Sequence, residues 1–302
     1  MSECSTLPPA RRAPRLKAWF SLVKFSHSIF ALPFALTSAW LAAEGVPDVR
    51  VLVWIVVCAV SARTAAMGFN RWLDRDIDAS NPRTRSREIP AGLLHPNSVL
   101  LLVLVSSAIF VAGAFALNPL AGKLSLPVLS VLLFYSSVKR FHWFAHGILG
   151  LSLAMAPLGA WVAVRGNVEG NIAPPLLLAL AVLTWVFGFD LIYASQDADF
   201  DRKAKLHSIP ARFGIAFSLR LSSLLHTATV ALLVLFAWQG GLGWVFLGAL
   251  GVAAALLIWQ HRIVSPDDLS RADMAFFTLN GWVGIGLFLG TVVDLALQTS
   301  TV

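Results

Sequence analysis

Charge is scarce in this chain. Of 302 residues only 13% are charged, whereas 57% are hydrophobic, and the mean hydropathy is +0.75. A soluble domain carries about twice that charge, so the composition excludes one and points to a polytopic membrane protein. Cysteine is scarcer still. The two present, Cys4 in a polar tail and Cys58 inside an apolar run, give no disulfide framework and no metal-ligand spacing. Tyrosine also occurs only twice, at Tyr135 and Tyr193. The polar, Arg- and Pro-containing segment from Leu7 to Lys17 leads directly into a full-length apolar stretch. It lacks a short apolar core with a small-residue cleavage site, and so does not read as a removable signal peptide. No low-complexity linker divides the chain, which is read as a single domain over residues 1–302 with a polar cytoplasmic tail at 1–18.

What remains is mostly hydrocarbon-soluble helix. A span needs about 20 apolar residues, and nine such windows are found: Phe20–Ala43, Val51–Trp72, Val99–Leu117, a short one at Leu124–Val138, Trp143–Val164, Ala173–Tyr193, Ile215–Trp238, Leu242–Trp259 and Met274–Leu297. The fold class expected is all-α, with nine transmembrane helices. Nine spans put the N-terminal tail and the loops after helices two, four, six and eight on one side, with nearly all the loop cations. The opposite loops hold only Arg50, Lys123 and Arg165 of the 23 Lys and Arg. By the positive-inside rule the basic side is cytoplasmic, which places the C-terminus on the other side of the inner (plasma) membrane. The net charge of +7 is then a matter of topology and of an anionic leaflet, not of nucleic acid.

Against this background two acidic stretches stand out, each closing a long apolar segment. At helical spacing Asn70, Asp74 and Asp78 form one polar stripe, and Asp190, Tyr193 or Ala194, Asp197 and Asp201 form a second. Both are followed by basic loops (Arg83, Arg85 and Arg87; Arg202, Lys203 and Lys205), a weak internal repeat offset by four helices. These loops are read as a cap over the site. Asp76 and Asp199 point away from the stripes. Carboxylates this dense beside a bilayer need a positive partner. Hard oxygen ligands suit Mg²⁺, which binds through one or two carboxylates together with substrate phosphates. Asp74, Asp78, Asp197 and Asp201 are the candidate Mg²⁺ ligands, in a metal–diphosphate clamp.

The two stretches resemble the motifs of the UbiA superfamily of intramembrane aromatic prenyltransferases: NDxxDxxxD, and a DxxxD preceded by Tyr, each ending a transmembrane helix. Arg71 stands where an acid often follows the Asn. The resemblance extends to Lys24–Phe34, to Arg83–Gly92, to Tyr135-x₃-Lys139-Arg140-Phe141 and to His207–Gly214. It implies a UbiA-type helical bundle that transfers a polyprenyl group from polyprenyl diphosphate to an aromatic acid, with Mg²⁺. Lys139 and Arg140 would meet the diphosphate, with Arg83, Arg85 and Arg87 as cap contacts. For all of these, topology-setting charge is the plainer alternative. Arg63, two turns deeper than Asn70 on the same face, would bind the acceptor's acidic group together with Asn70, or else form an internal salt bridge. Asp190 is placed as base or as orienter. Tyr135 and Tyr193 would face an allylic cation or anchor the interface, and His27 would line the pocket or simply be hydrogen-bonded within its helix. The expected acceptor is 4-hydroxybenzoate. 1,4-Dihydroxy-6-naphthoate, used by the menaquinone futalosine-route branch, is the alternative. Beyond the lipid bilayer and these substrates, no protein or nucleic-acid partner is expected. A transporter would want acids near the bilayer midplane in both halves, and the DG-x₂-AR pattern of phosphatidyl-alcohol transferases is absent.

Overall fold

The computed structural model describes residues 15–23 and 30–299, so Cys4, Lys24 and His27 lie outside the described residues. The fold is all-α: α1 Arg15–Val23, α2 Leu32–Ala43, α3 Val49–Leu73, α4 Arg75–Ser80, α5 Pro96–Leu117, α6 Pro119–Val138, α7 Ala145–Arg165, α8 Ala173–Ala194, α9 Ala198–Lys203, α10 Ile209–Phe213, α11 Ile215–Gln239, α12 Trp244–Arg262, α13 Ala272–Met274 and α14 Asn280–Thr299. A 3₁₀ turn, Ser195–Asp197, joins α8 to α9, and a π-helical turn, Ala275–Leu279, joins α13 to α14.

Eight helices among the described residues are long and apolar enough to cross a membrane, and the shorter apolar α2 adds to them. The count of nine spans therefore holds approximately, and its first member needs correction. Phe20–Ala43 is not described as one continuous helix but as α1 and α2. Pro33 explains where α2 begins, because a residue without an N–H and with a fixed φ fits the first turn of a helix. The same device starts α5, α6, α8 and α10. It also lengthens the span expected to be short: Pro119 opens α6 and the Asn118 side chain accepts from Ala121 N at 2.8 Å, which extends the helix back from Leu124. The tail expected at 1–18 is helical from Arg15. Ala18 and Leu22 of α1 bury against Ile89, Leu94 and Val99, and Ser21 donates to Glu88 at 2.6 Å, so α1 docks onto the loop that follows α4.

Helix α8 runs through the centre. Val182, Trp185, Val186, Phe189, Leu191 and Ile192 are all buried, and its neighbours are α7 on one side and α11 on the other. The α7 contact is close because Gly150 has no side chain: a Cβ there would lie 2.6 Å from the carbonyl oxygen of Leu183. The core is sealed by an aromatic cluster of Phe30, Phe34, Trp185 and Phe189. At its edge, Trp185 Nε1 donates to Asn280 Oδ1 at 2.9 Å, and Asn280 Nδ2 donates to the carbonyls of Ala275 and Phe276 at 3.1 and 3.0 Å. Asn280 thus closes the π turn that carries Phe276 and Phe277. Asn280→Leu is expected to destabilise the protein by about 1–3 kcal/mol, because the buried indole N–H loses its acceptor. Thermal unfolding in detergent measures it, and an unchanged midpoint would refute this role.

The bundle is asymmetric along its axis. At one end the helices are joined by tight turns, with Glu44 and Gly166 in left-handed conformation as helix stops. At the other lie the longer charged connections 74–95, 139–144, 195–214 and 263–271. The acidic stretches and their basic loops all meet at this second end.

Candidate active site

Both acidic stretches have the same local construction. In each, a long helix ends, one aspartate adopts the bridge conformation, and a six-residue helix follows. Asp74 (φ −89°, ψ 5°) precedes α4, and Asp197 (φ −99°, ψ 2°) precedes α9. Neither carboxylate caps its short helix, so both stay available to neighbours. The i→i−4 backbone bonds persist through the first break, Asp74 N to Asn70 O at 2.9 Å and Asp78 N to Asp74 O at 2.8 Å, which keeps the expected stripe on one face. Asp76 and Asp199 point outward, with side chains 85% and 83% exposed.

The aspartates are buried among cations. Asp74, with no exposed surface, meets Lys139 Nζ at 2.6 Å and Arg140 Nη2 at 2.9 Å, and accepts from Asn70 Nδ2 at 3.1 Å. Arg87 holds both oxygens of Asp78, at 2.7 and 2.9 Å. Arg83 grips Asp197 through Nε and Nη2, and Asn81 Nδ2 adds a bond at 3.2 Å. Burial alone would lower the Arg83 guanidinium, but Asp197 and Tyr193 outweigh it and hold it above its ordinary value. Thus the loop after α4 does close over the second acidic stretch. Among the described residues no three His, Cys, Asp or Glu side chains converge as a metal group, and the oxygens of Asp74, Asp78 and Asp197 are held by cations.

Beneath these pairs is a cavity of about 300 Å³. Of the expected residues it brings together Arg63, Asn70, Tyr135, Lys139, Asp190, Tyr193, Asp197 and Asp201 in its lining. Asp74, Asp78 and Arg140 are not in the wall; Asp74 and Arg140 sit behind Lys139, and Asp78 behind Arg87. Among the described residues Arg63 makes no ion pair and its buried Nε has no hydrogen-bond partner. The salt-bridge alternative for Arg63 therefore finds no partner here. The two tyrosines differ. The Tyr193 ring lies 5.0 Å from the Arg83 guanidinium and 4.4 Å from the Phe276 ring, and its hydroxyl accepts from Arg83 at 2.8 Å, so its cation is already in place. Tyr135 instead lies where this cavity meets a second, apolar one of about 220 Å³ between α2, α3, α5, α6 and α7. Arg63, Met67, Leu149 and Leu153 share that junction.

Three features of the wall escaped sequence reasoning. Arg71, noted only as a departure from the motif, is 3% exposed and lies 3.7 Å from Glu88. Phe276 and Phe277 both reach the cavity, because the π turn shifts two adjacent residues toward one side. His146, in the first turn of α7, pairs with Asp190 through Nδ1 at 2.7 Å. A lone histidine at the start of an apolar helix carries no signal until α7 packs on α8.

Residues 31–282 match the UbiA prenyltransferase family. The chain is 31% identical over 294 residues to a 4-hydroxybenzoate octaprenyltransferase of Pseudomonas aeruginosa, covering 96% of this chain and 98% of that one. It is 33% identical over 296 residues to one of Nitrosomonas europaea, covering 95% and 98%. Among solved structures, a UbiA homolog from Aeropyrum pernix K1 superposes with a TM-score of 0.80 at 35% identity, covering 89% of this chain and 98% of that one. A UbiA homolog from Archaeoglobus fulgidus bound to DMAPP and Mg²⁺ shares the fold, with a TM-score of 0.63 at 18% identity, covering 89% and 99%. Helical bundle, paired acidic stretches and full-length similarity agree, and the chain belongs to the UbiA prenyltransferase family of membrane transferases.

Proposed function

We propose that this enzyme transfers a polyprenyl group from polyprenyl diphosphate to the ring carbon beside the hydroxyl of 4-hydroxybenzoate, with Mg²⁺ as cofactor and the site open to the cytoplasm. The observation that carries the reading is Arg63. A guanidinium within the bundle, without a carboxylate partner among the described residues, lies in the wall of a cavity that Lys139 and Arg87 also line, with Arg83 paired to its wall residue Asp197. Such a cation is costly in a membrane unless an anion arrives to meet it. Two separate cationic zones suit an acceptor carboxylate inside and a diphosphate at the rim. The named relatives support the same acceptor and the same kind of donor, and the charged end of the bundle supports the cytoplasmic orientation.

The donor set fits Mg²⁺. What supports it is hard carboxylate oxygens at helical i, i+4 spacing in each acidic stretch, Asp74 with Asp78 and Asp197 with Asp201, in place of one closed protein cage. Mg²⁺ prefers this arrangement when substrate phosphates complete its shell. When bound it would neutralise the diphosphate as a leaving group. The chain's own side chains do the rest. Lys139, Arg140, Arg83 and Arg87, now paired with the aspartates, exchange part of that pairing for phosphate oxygens. The apolar cavity, lined by residues such as Ile55, Cys58, Phe110, Leu132 and Met155, receives the hydrocarbon chain. Tyr135 at the junction presents the phenol ring nearest the allylic carbon, where a cation–π contact lowers the cost of the developing charge. Asn70 and Arg63 orient the acceptor.

Purified protein in detergent with Mg²⁺, a polyprenyl diphosphate and 4-hydroxybenzoate is expected to form a prenylated acid, and EDTA to abolish the product. Running 1,4-dihydroxy-6-naphthoate beside it tests the acceptor. Product from the naphthoate alone would transfer the assignment to that acid, and none from either would overturn the reading.

A further inference from the structure

The acceptor's ring is a poor nucleophile while its hydroxyl keeps its proton, so an enzyme of this kind gains by holding a base beside that oxygen. Asp190, read from the sequence as base or as orienter, is one candidate. The structure shows it already engaged: its Oδ2 lies 2.7 Å from His146 Nδ1. An ionised carboxylate only accepts hydrogen bonds, so Nδ1 donates its proton to Asp190. When the imidazole is neutral, its lone pair is then on Nε2. His146 is 7% exposed, and its buried Nε2 has no hydrogen-bond partner among the described residues. Yet the residue lines the same cavity as Arg63, Asn70 and Tyr135. A ring nitrogen with no hydrogen-bond partner among the described residues, on a side chain of the cavity wall, is an acceptor that an incoming hydroxyl can use.

The dyad is also held firmly. His146 is in the first turn of α7, and Asp190 is near the end of α8. One turn beyond His146, Gly150 lets the two backbones approach closely enough that a Cβ would strike the carbonyl of Leu183. The close α7–α8 approach at Gly150 supports the contact between imidazole and carboxylate.

We propose, building on the acceptor reading above, that His146 is the base of this enzyme and that Asp190 is a positioning residue that fixes its tautomer. His146 Nε2 takes the proton of the acceptor's hydroxyl. The electron pair left on oxygen feeds the adjacent ring carbon, which bonds to the allylic carbon as the C–O bond to diphosphate breaks and diphosphate leaves with that pair. The resulting dienone loses the hydrogen of the substituted ring carbon as a proton to diphosphate or water, which restores the aromatic ring as a phenolate. Imidazolium His146 then returns its proton to the phenolate oxygen. The sum is one aryl C–H and one allylic C–O bond broken, one C–C bond formed, and one proton released.

The test compares wild type, His146→Gln and Asp190→Asn on 4-hydroxybenzoate and on 3-fluoro-4-hydroxybenzoate, whose hydroxyl is more acidic and whose second ortho carbon is free. On 4-hydroxybenzoate the kcat of His146→Gln is expected to fall by roughly 10²–10⁴-fold, the usual contribution of a positioned base. The KM for the acceptor should move by less than about 10-fold, since the acid group is held elsewhere. On the fluorinated acid the ratio of wild type to variant should shrink at least about 10-fold, because a more acidic hydroxyl needs its base less. Fluorine also slows attack by the ring, but equally for each protein, so the ratio isolates the proton. Asp190→Asn should show the same narrowing with a smaller loss, which preserves the test if His146→Gln does not fold. Equal deficits on the two acids in whichever variant folds, or a change in KM alone, would overturn the role of His146 and leave the transfer reaction standing. Wild-type protein inactive on both acids would overturn the reaction itself.

Discussion

Asp74→Asn is expected to lower the rate of prenyl transfer by on the order of 10²–10³-fold, the loss usual when one preorganised electrostatic group is removed from a transition state that develops charge. No other expected Mg²⁺ ligand is so enclosed. Asp74 has no exposed surface and gathers Lys139, Arg140 and Asn70 at 2.6, 2.9 and 3.1 Å. The amide keeps the shape and removes the charge, so two cations lose their shared counterion while a hard ligand oxygen is weakened. Breaking a fully buried ion pair costs about 3–5 kcal/mol. The cations here are 32% and 37% exposed, so solvent reduces that figure and the folded bundle should survive. Initial rates at saturating substrates, with Mg²⁺ titrated, measure the effect. Asp76→Asn is the control, since its side chain is 85% exposed, and it should behave as wild type. A variant at Asp74 that keeps its rate within 10-fold of wild type would remove this residue from the clamp.

Arg63→Leu is expected to separate function from stability in the opposite way. Charge-assisted bonds to a buried cation are worth about 2–5 kcal/mol when one partner is removed, so the KM for the acceptor should rise at least about 30-fold, with a smaller change in kcat. The unfolding midpoint should stay unchanged or rise. Arg63 makes no ion pair among the described residues, so the substitution removes the cost of holding a guanidinium in the bundle and exposes no opposite charge. A leucine also suits the apolar cavity that Arg63 borders. Loss of folding with unchanged acceptor KM would show that Arg63 serves the scaffold. The comparison with Asp74 is informative because Asp74 binds both the fold and the site together, and Arg63 is held in reserve for a ligand.

Much of the bundle was legible in the sequence because the signals were local. Apolar windows and the scarcity of charge fixed where helices lie, and prolines set the starts of α2, α5, α6, α8 and α10 more sharply than hydropathy did. The errors fell where local signals compete. Hydropathy ran through residues 20–43 and missed the helix start at Pro33, and it truncated α6 because Lys123 lowered the average. The docking of α1 was not legible, since the partners of Ala18 and Leu22 include Ile89 and Leu94, more than 60 residues away in the loop after α4. Helical spacing correctly sorted Asp74 and Asp78 from the outward-facing Asp76, and Asp197 from Asp199. It did not reveal that Arg83 covers Tyr193 and Asp197, an arrangement between residues more than 100 positions apart.

The sequence by itself determined the class of protein, the end of the bundle at which the acidic stretches gather, and the residue types available there. Hydrocarbon admits few spanning structures and makes every ionisable group conspicuous, so charge and hydropathy are enough for these. Only the tertiary structure decided which charges are paired and which are left free. It showed Asp74, Asp78 and Asp197 bound to cations, Arg63 without a carboxylate among the described residues, Tyr193 covered, Tyr135 at the junction of two cavities, and His146 beside Asp190. Pairing depends on distances between helices, which packing at points such as Gly150 sets to within an ångström or so, and no periodicity along the chain encodes which neighbour a helix will meet.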